Sequence, residues 1–350
     1  MTPTLSVRNL RVEIPTRHGT LLAIDDLSFD VAPGEVLGVV GESGAGKSIT
    51  GQAIIGLLDP PARIASGEIR LGGERVDNLP PSAMRHIRGK RIGMIFQDPL
   101  TSLNPLYRIG DQLTETILTH QRLSPSAAAE KAERLLVEVG IPAAKARLAS
   151  YPHQFSGGMR QRVVIALALA ADPELIIADE PTTALDVSVQ AQIIALIKRL
   201  CKERGTSVML ITHDMGVIAE TADRVCVLYA GRLAEIGPVR NVIRAPQHPY
   251  THGLMAAIPS LAGDPNARLE QIPGAMPRLA AVPSGCAFNP RCSYRFERCP
   301  AERPGIFEAG SSSAACFLLD PSETRTPAGA VEAAQAAGIK VHTQSEEAGR

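Results

Sequence analysis

The chain has 350 residues, with 36 Lys and Arg against 36 Asp and Glu, 45% hydrophobic residues and no Trp. That length accommodates one domain of ordinary size with a smaller companion, and the zero net charge without a basic stripe argues against a nucleic-acid partner. The longest apolar run, Val163 to Ala171, is far short of the roughly 20 residues a membrane span needs, so any membrane attachment has to come through partners.

Residues 1 to about 95 read as strands, a glycine-rich loop and sheet. The run Val36-Leu37-Gly38-Val39-Val40 predicts a buried strand, and Ile49 to Leu58 predicts a helix stopped by Asp59-Pro60-Pro61. Between them lies Gly41-Glu42-Ser43-Gly44-Ala45-Gly46-Lys47-Ser48, with Ile49 opening the helix. Strand, Gly-rich loop and helix in that order form a phosphate loop: glycines let backbone amides approach a nucleotide's phosphates, Lys47 neutralises β/γ charge, and the Ser48 hydroxyl reaches Mg²⁺.

Residues 98 to about 160 read as an inserted helical subdomain. One helix there is well signalled, with Ser124 as cap, Pro125 in the first turn, an apolar face of Ala132, Leu135, Leu136 and Val139, and Gly140 as the stop. The subdomain ends at Ser156-Gly157-Gly158, a turn opening a helix, whose backbone N–H groups can be offered to the γ-phosphate of a second chain. A phosphate loop and such a turn in one chain imply a dimer closed by ATP.

The sheet resumes near 163 and runs to about 235. The strand Leu175 to Ala178 ends in Asp179 and Glu180, which suits Asp179 to hold Mg²⁺ and Glu180 to polarise the attacking water. An amphipathic helix bearing Ile193, Ile194, Ile197 and Leu200 follows, closed by Gly205. The strand Ser207 to Ile211 then delivers Thr212-His213-Asp214 at its C-terminal end, where parallel α/β sheets bind ligands.

These motifs resemble the ABC transporter ATPases. The stretches Phe96-Gln97-Asp98-Pro99-Leu100-Thr101-Ser102-Leu103-Asn104-Pro105 and Tyr151-Pro152-His153-Gln154-Phe155-Ser156-Gly157-Gly158-Met159-Arg160-Gln161-Arg162 are similar to the dipeptide/oligopeptide importer ATPases, as is the His248-Pro249-Tyr250 motif. Met159 and Phe155, where most ABC ATPases carry Gln and Leu, point the same way. The resemblance covers residues 4 to about 318. It implies a P-loop NTPase of ABC type, spanning residues 1–236, with an inserted helical subdomain and a small irregular extension over 237–319.

It also implies roles for individual residues. His213 resembles the switch histidine that contacts the γ-phosphate, and Gln97 the glutamine that senses Mg²⁺ and the water. Ala184-Leu185-Asp186 resembles the dimer-contact loop, and Ser156, Gly157 and Gly158 the signature that completes the partner's ATP site. The aromatic that stacks on adenine has no clear match, since Ile14 stands where relatives often carry Phe and His18 is a substitute candidate. The expected consequence is altered nucleotide affinity or base selectivity with hydrolysis retained.

Four of the six cysteines, Cys286, Cys292, Cys299 and Cys316, cluster in the extension. No signal-peptide pattern is apparent, so a reducing compartment and free thiols are expected. Spacing alone leaves Zn²⁺ and an iron–sulfur cluster open. The resemblance implies a [4Fe–4S] cluster with Zn²⁺ as the alternative, in a structural role. Cys201 and Cys226 read as ordinary core cysteines. From Asp320 to Arg350 the composition predicts a tail without fixed structure.

The expected function is ATP hydrolysis that powers import of di- or oligopeptides. The implied partners are two permease subunits, a second and different ABC ATPase, and an extracytoplasmic substrate-binding protein, with no nucleic acid, at the cytoplasmic face of the membrane. A nickel or glutathione importer of the same architecture is the nearer alternative, and a soluble non-transport ABC ATPase the remote one.

Overall fold

The computed structural model describes residues 2–183, 185–258 and 271–323, and positions 332, 334–336, 338 and 339. The chain opens with strands β1 (Leu5–Thr16) and β2 (Gly19–Val31), an antiparallel hairpin, followed by β3 (Val36–Val40), helix α1 (Lys47–Ile55) and β4 (Arg63–Leu71). Gly56 ends α1 before Leu58 by taking a left-handed φ of 67° and returning its N–H to Ala53, so the helix stops short of the Pro60-Pro61 breaker. Strand β5 (Glu74–Arg75), helix α2 (Pro81–Ile87) and β6 (Ile92–Ile95) complete the first part.

The inserted subdomain holds α3 (Pro99–Ser102), α4 (Ile109–His120), α5 (Pro125–Glu138) and α6 (Ala144–Arg147). Ser124 caps α5 as expected, its hydroxyl accepting from the Ala127 N–H, and Gly140 follows with φ 76°. Then come α7 (Gly157–Leu169), β7 (Leu175–Asp179), α8 (Val187–Arg204), β8 (Ser207–Ile211), α9 (Met215–Thr221), β9 (Arg224–Tyr229) and β10 (Arg232–Pro238). Gly205 closes α8 at φ 67°.

Strands β9, β3, β8, β7 and β6 run parallel in that order, and β10 joins β9 antiparallel. Successive side chains of a strand face opposite sides. Leu37, Val39, Ile177, Met209 and Ile211 therefore meet one core, shared with α1 and the antiparallel sheet of β2, β1, β4 and β5. Val36, Val40, Ile176, Ala178, Val208 and Leu210 meet the other, shared with α4, α5, α7 and α8. Burial on both faces explains why these strands read as continuous apolar runs.

The extension departs from the irregular segment expected. After α10 (Val239–Arg244), α11 (Pro249–Ala256) and α12 (Arg298–Ala301), it forms a hairpin of β11 (Phe307–Ala309) and β12 (Ser312–Ala314). Strand β12 pairs with β10, Glu235 opposite Ala314, so the hairpin continues the main sheet. Asp320 and Glu323, at the head of the predicted tail, are buried and both pair with Arg298. Ala334 and Ile339 pack beside Phe296 and Phe317; most of the tail lies outside the described residues.

Glu235 anchors this junction. It is fully buried, and its carboxylate accepts the backbone N–H groups of Gln247 at 3.0 Å and His248 at 2.9 Å. Burial outweighs those bonds and pushes it up to about 7 from the ordinary 4.5. Between those values the folded chain keeps a proton that the unfolded chain releases, so this group's contribution to stability falls as pH rises and is constant above the window. His248 works oppositely: burial pulls it down to about 4, so its contribution is lost as pH falls from 6.5. A Glu235→Gln chain keeps only the His248 term. Urea titrations should show the variant gaining on wild type by about 2–3 kcal/mol between pH 5 and pH 7.5, and parallel profiles would rule this account out.

Candidate active site

Four parallel strands deliver the predicted residues along one edge of the sheet: β3 leads into the phosphate loop, β7 ends at Asp179 and Glu180, β8 at His213, and β6 at Gln97. One open pocket is lined by Ser43, Gly44, Gly46, Lys47, Ser48 and Ile49 of the loop, with Gln97, Glu180 and His213 facing them. Residues far apart in the chain meet here because adjacent parallel strands place their C-terminal ends together.

The loop requires its glycines. Gly41 has φ 152°, and a Cβ there would stand 2.3 Å from the Leu228 carbonyl oxygen. Gly46, at φ 100°, is the residue from which α1 springs, and its own Cβ would lie 2.7 Å from Ile24. Lys47 is buried, and its ammonium donates to the carbonyls of Gly41 at 2.8 Å and Glu42 at 3.2 Å. Burial lowers its pKa, against the opposing pull of Glu180, Asp179 and Glu42. Without an anion the ammonium thus sits in a poorly solvated place that a phosphate would improve.

Ser48 donates to the Asp179 carboxylate at 3.0 Å. Burial raises Asp179, with the neighbouring Glu180 charge adding to it, while the Ser48 bond and Lys47 oppose. A hydroxyl and a desolvated carboxylate at the α1 terminus suit a hard cation such as Mg²⁺. Gln97 is exposed and donates to Glu180 at 3.2 Å, so of the three residues expected to hold Mg²⁺, Ser48 and Asp179 are brought together and Gln97 bonds Glu180 instead.

Glu180 takes a left-handed φ of 45° just past β7, a conformation rare for a side chain with a Cβ. Burial would raise its pKa, but the Thr183 hydroxyl at 2.7 Å and His213 Nδ1 at 3.3 Å, with the Lys47 charge, hold it below the usual carboxylate value. It is therefore ionised and held by three neighbours. Sequence reasoning assigns Thr183 no role, since only the fold back of the loop puts its hydroxyl on Glu180.

Ser156, Gly157 and Gly158 do not reach this pocket. Ser156 caps α7, accepting from Met159, and the exposed turn takes no part in the lining of its own chain's phosphate-loop pocket. Gly158 is needed because a Cβ would stand 2.8 Å from Val189. Asp186 caps α8 through Val189 and Ser188, Leu185 is half-buried beside Gly157, and Ala184 lies outside the described residues. Ile14 pairs with Leu21 and packs on the core beneath the antiparallel sheet.

Sequence reasoning missed how the extension meets the phosphate loop. The His-Pro-Tyr motif carries only a family resemblance in the sequence, yet the buried Tyr250 hydroxyl accepts the Glu42 backbone N–H at 2.9 Å. Arg291, also buried, donates to both Glu42 carboxylate oxygens at 3.0 and 3.2 Å and lies over the rings of Tyr229 and Phe288. No local signal could have linked Arg291 to Glu42 across 249 positions.

The cysteine thiols of Cys286, Cys292, Cys299 and Cys316 line one small cavity with Phe288, Phe296 and Phe317. All are free, as are the buried Cys201 and Cys226. Burial pushes Cys286 up to about 11 and Cys292 to about 12. Among the described residues no group of three or more His, Cys, Asp or Glu stands in a metal-holding arrangement. The donor set is nonetheless sulfur-rich and fits a thiophilic metal group.

A phosphate loop, a strand-end carboxylate pair, a facing Gln and His, and a helical insert ending in an exposed Ser-Gly-Gly turn define an ATP-binding cassette ATPase. Residues 24–183 match the family described as ABC transporter, and residues 234–299 the family described as oligopeptide/dipeptide transporter, C-terminal region. The dipeptide transport ATP-binding protein DppD of Bacillus subtilis is 49% identical over 91% of this chain and 96% of its own length. The oligopeptide transport ATP-binding protein OppD of Salmonella typhimurium is 47% identical over 89% and 93%. Among solved structures, the dimeric post-hydrolysis ATP-binding cassette MJ0796 bound to ADP and Pi matches with a TM-score of 0.61 and 27% identity, covering 67% of this chain and 99% of that one. The chain belongs to the family of dipeptide and oligopeptide transport ATP-binding proteins.

Proposed function

We propose that this chain binds and hydrolyses ATP to power import of dipeptides or oligopeptides through a membrane transporter. The observation that carries the reading is a complete catalytic set joined in one fold to an extension of the peptide-transporter type. No helix among the described residues is long and apolar enough to cross a membrane, which agrees with a peripheral subunit at the cytoplasmic face, docked on two permeases. The exposed Ser156-Gly157-Gly158 turn, outside its own chain's pocket, supports a closed dimer in which it completes a second ATPase's site, with Leu185 and Asp186 at the contact. A different second ATPase and an extracytoplasmic binding protein complete the assembly.

Chemically, Lys47 and the loop amides hold the β/γ-phosphates, and Ser48 and Asp179 hold Mg²⁺ with Gln97 close by. That ion neutralises developing phosphate charge when bound. Glu180 orients and accepts a proton from the attacking water, and His213 steadies the γ-phosphate side. Closure on ATP does the mechanical step and product release reopens the dimer. A detergent pull-down of Glu180→Gln protein with ATP, followed by mass spectrometry, tests the assignment. Two permeases, a second ATPase and a peptide-loaded binding protein are expected; nickel or glutathione on that protein would reassign the substrate, and soluble partners alone would overturn transport.

We further read the cysteine cavity as the seat of a [4Fe–4S] cluster held by Cys286, Cys292, Cys299 and Cys316. Four sulfur donors in an apolar pocket between loops of little regular structure support this, because a four-ligand site would offset the closure entropy of those loops. Anaerobically purified protein is expected to carry iron and sulfide in equal amounts. Cys292→Ser should lose both and unfold several degrees lower while still binding ATP. Zinc in place of iron, or no metal with an unchanged unfolding temperature, would refute the cluster.

A further inference from the structure

The C-terminal extension does more than pack beside the phosphate loop. Leu279, half-buried in a short helical turn at Leu279–Ala281, lines the same pocket as Lys47, Glu180 and His213. Met276 stands 3.9 Å from where a Cβ of Gly44 would be, and Glu42 is gripped by Tyr250 and Arg291. Leu279 also lines a second, adjoining cavity whose other wall is the β1–β2 turn at His18 and Gly19. The two spaces therefore meet at Leu279.

A nucleotide whose triphosphate lies on the loop must lead its ribose and base away from Lys47. Ile14 takes no part in either lining and packs against the core beneath the antiparallel sheet. The adjoining cavity does, between the turn carrying His18 on one side and Leu279 with Val282 and Pro283 on the other. One wall carries the His18 imidazole and the opposite wall aliphatic side chains, groups suited to a flat, weakly polar ring.

We propose that Leu279, supplied by the extension, is a binding residue for the adenine of ATP in the cleft between the N-terminal hairpin turn and the extension. The proposal rests on the loop being the ATP site. Burying one aliphatic side chain against a ring corresponds to about tenfold in affinity.

Equilibrium binding of MgATP and of inorganic tripolyphosphate to the full-length chain separates base from phosphate contacts. Leu279→Asp is expected to weaken MgATP about tenfold and to leave tripolyphosphate within twofold. Leu279→Phe, which enlarges the apolar face without adding charge, is expected to bind MgATP at least as tightly as wild type, and it carries the test if the Asp variant is less stable. Equal loss of both ligands in Leu279→Asp would make the residue merely structural and overturn the proposal, as would MgATP binding unchanged within twofold. Wild-type protein that binds neither ligand would instead defeat the ATP-site reading on which the proposal stands.

Discussion

Glu180→Gln protein is expected to bind MgATP with wild-type affinity and to hydrolyse it roughly 10²- to 10⁴-fold more slowly. The substitution preserves shape, and Gln can still meet the Thr183 hydroxyl and His213, so the strained turn at φ 45° should persist. What disappears is the negative charge that those neighbours keep ionised and that must accept the water's proton. Removing only the Thr183 support, as in Thr183→Ala, leaves two of three contacts and should cost a smaller factor, about tenfold or less. Single-turnover hydrolysis beside equilibrium ATP binding separates the cases. Hydrolysis within threefold of wild type, or ATP binding lost in parallel, would mean that Glu180 is not the group that activates water.

Lys47→Ala shows the complementary pattern: ATP affinity falls by about two orders of magnitude or more, and hydrolysis falls because substrate is not held. The ammonium can make two or more charge-assisted bonds to phosphate oxygens, each worth about 1.5–3 kcal/mol. It gives up little in doing so. It is desolvated and held by the Gly41 and Glu42 carbonyls, and burial lowers its pKa. Binding of ATP measured by calorimetry, with circular dichroism to confirm an intact fold, is the check. A loss of less than threefold in affinity would exclude Lys47 from the phosphate site.

How much of this was legible in the residues varied with the range of the interaction. Lys47 and Ser48 announced themselves by the glycine-rich loop between a strand and a helix, and Asp179, Glu180 and His213 by standing at the ends of short apolar strands, since strand period and loop composition are local properties. Helix ends were readable where Ser124 caps α5 and Gly205 closes α8, for the same reason. The end of α1 was misplaced at Leu58 because a Pro pair is a louder signal than the left-handed Gly56 that acts first. The extension was called irregular because its strands β11 and β12 are three residues each, too short for any periodicity to appear.

The sequence by itself determined which residues gather at one edge of the sheet, and which Ser-Gly-Gly turn opens α7 at the surface. Those assignments depend on residue type and on spacing within one strand–loop–helix unit, and backbone geometry transmits them locally. Tertiary structure alone decided what supports those residues. Arg291 and Tyr250 grip Glu42, Thr183 turns onto Glu180, Leu279 enters the nucleotide pocket, and β12 extends the sheet beside β10. Most of these contacts join segments separated by many residues, and such pairings come from the packing of the whole chain, which no window of sequence contains.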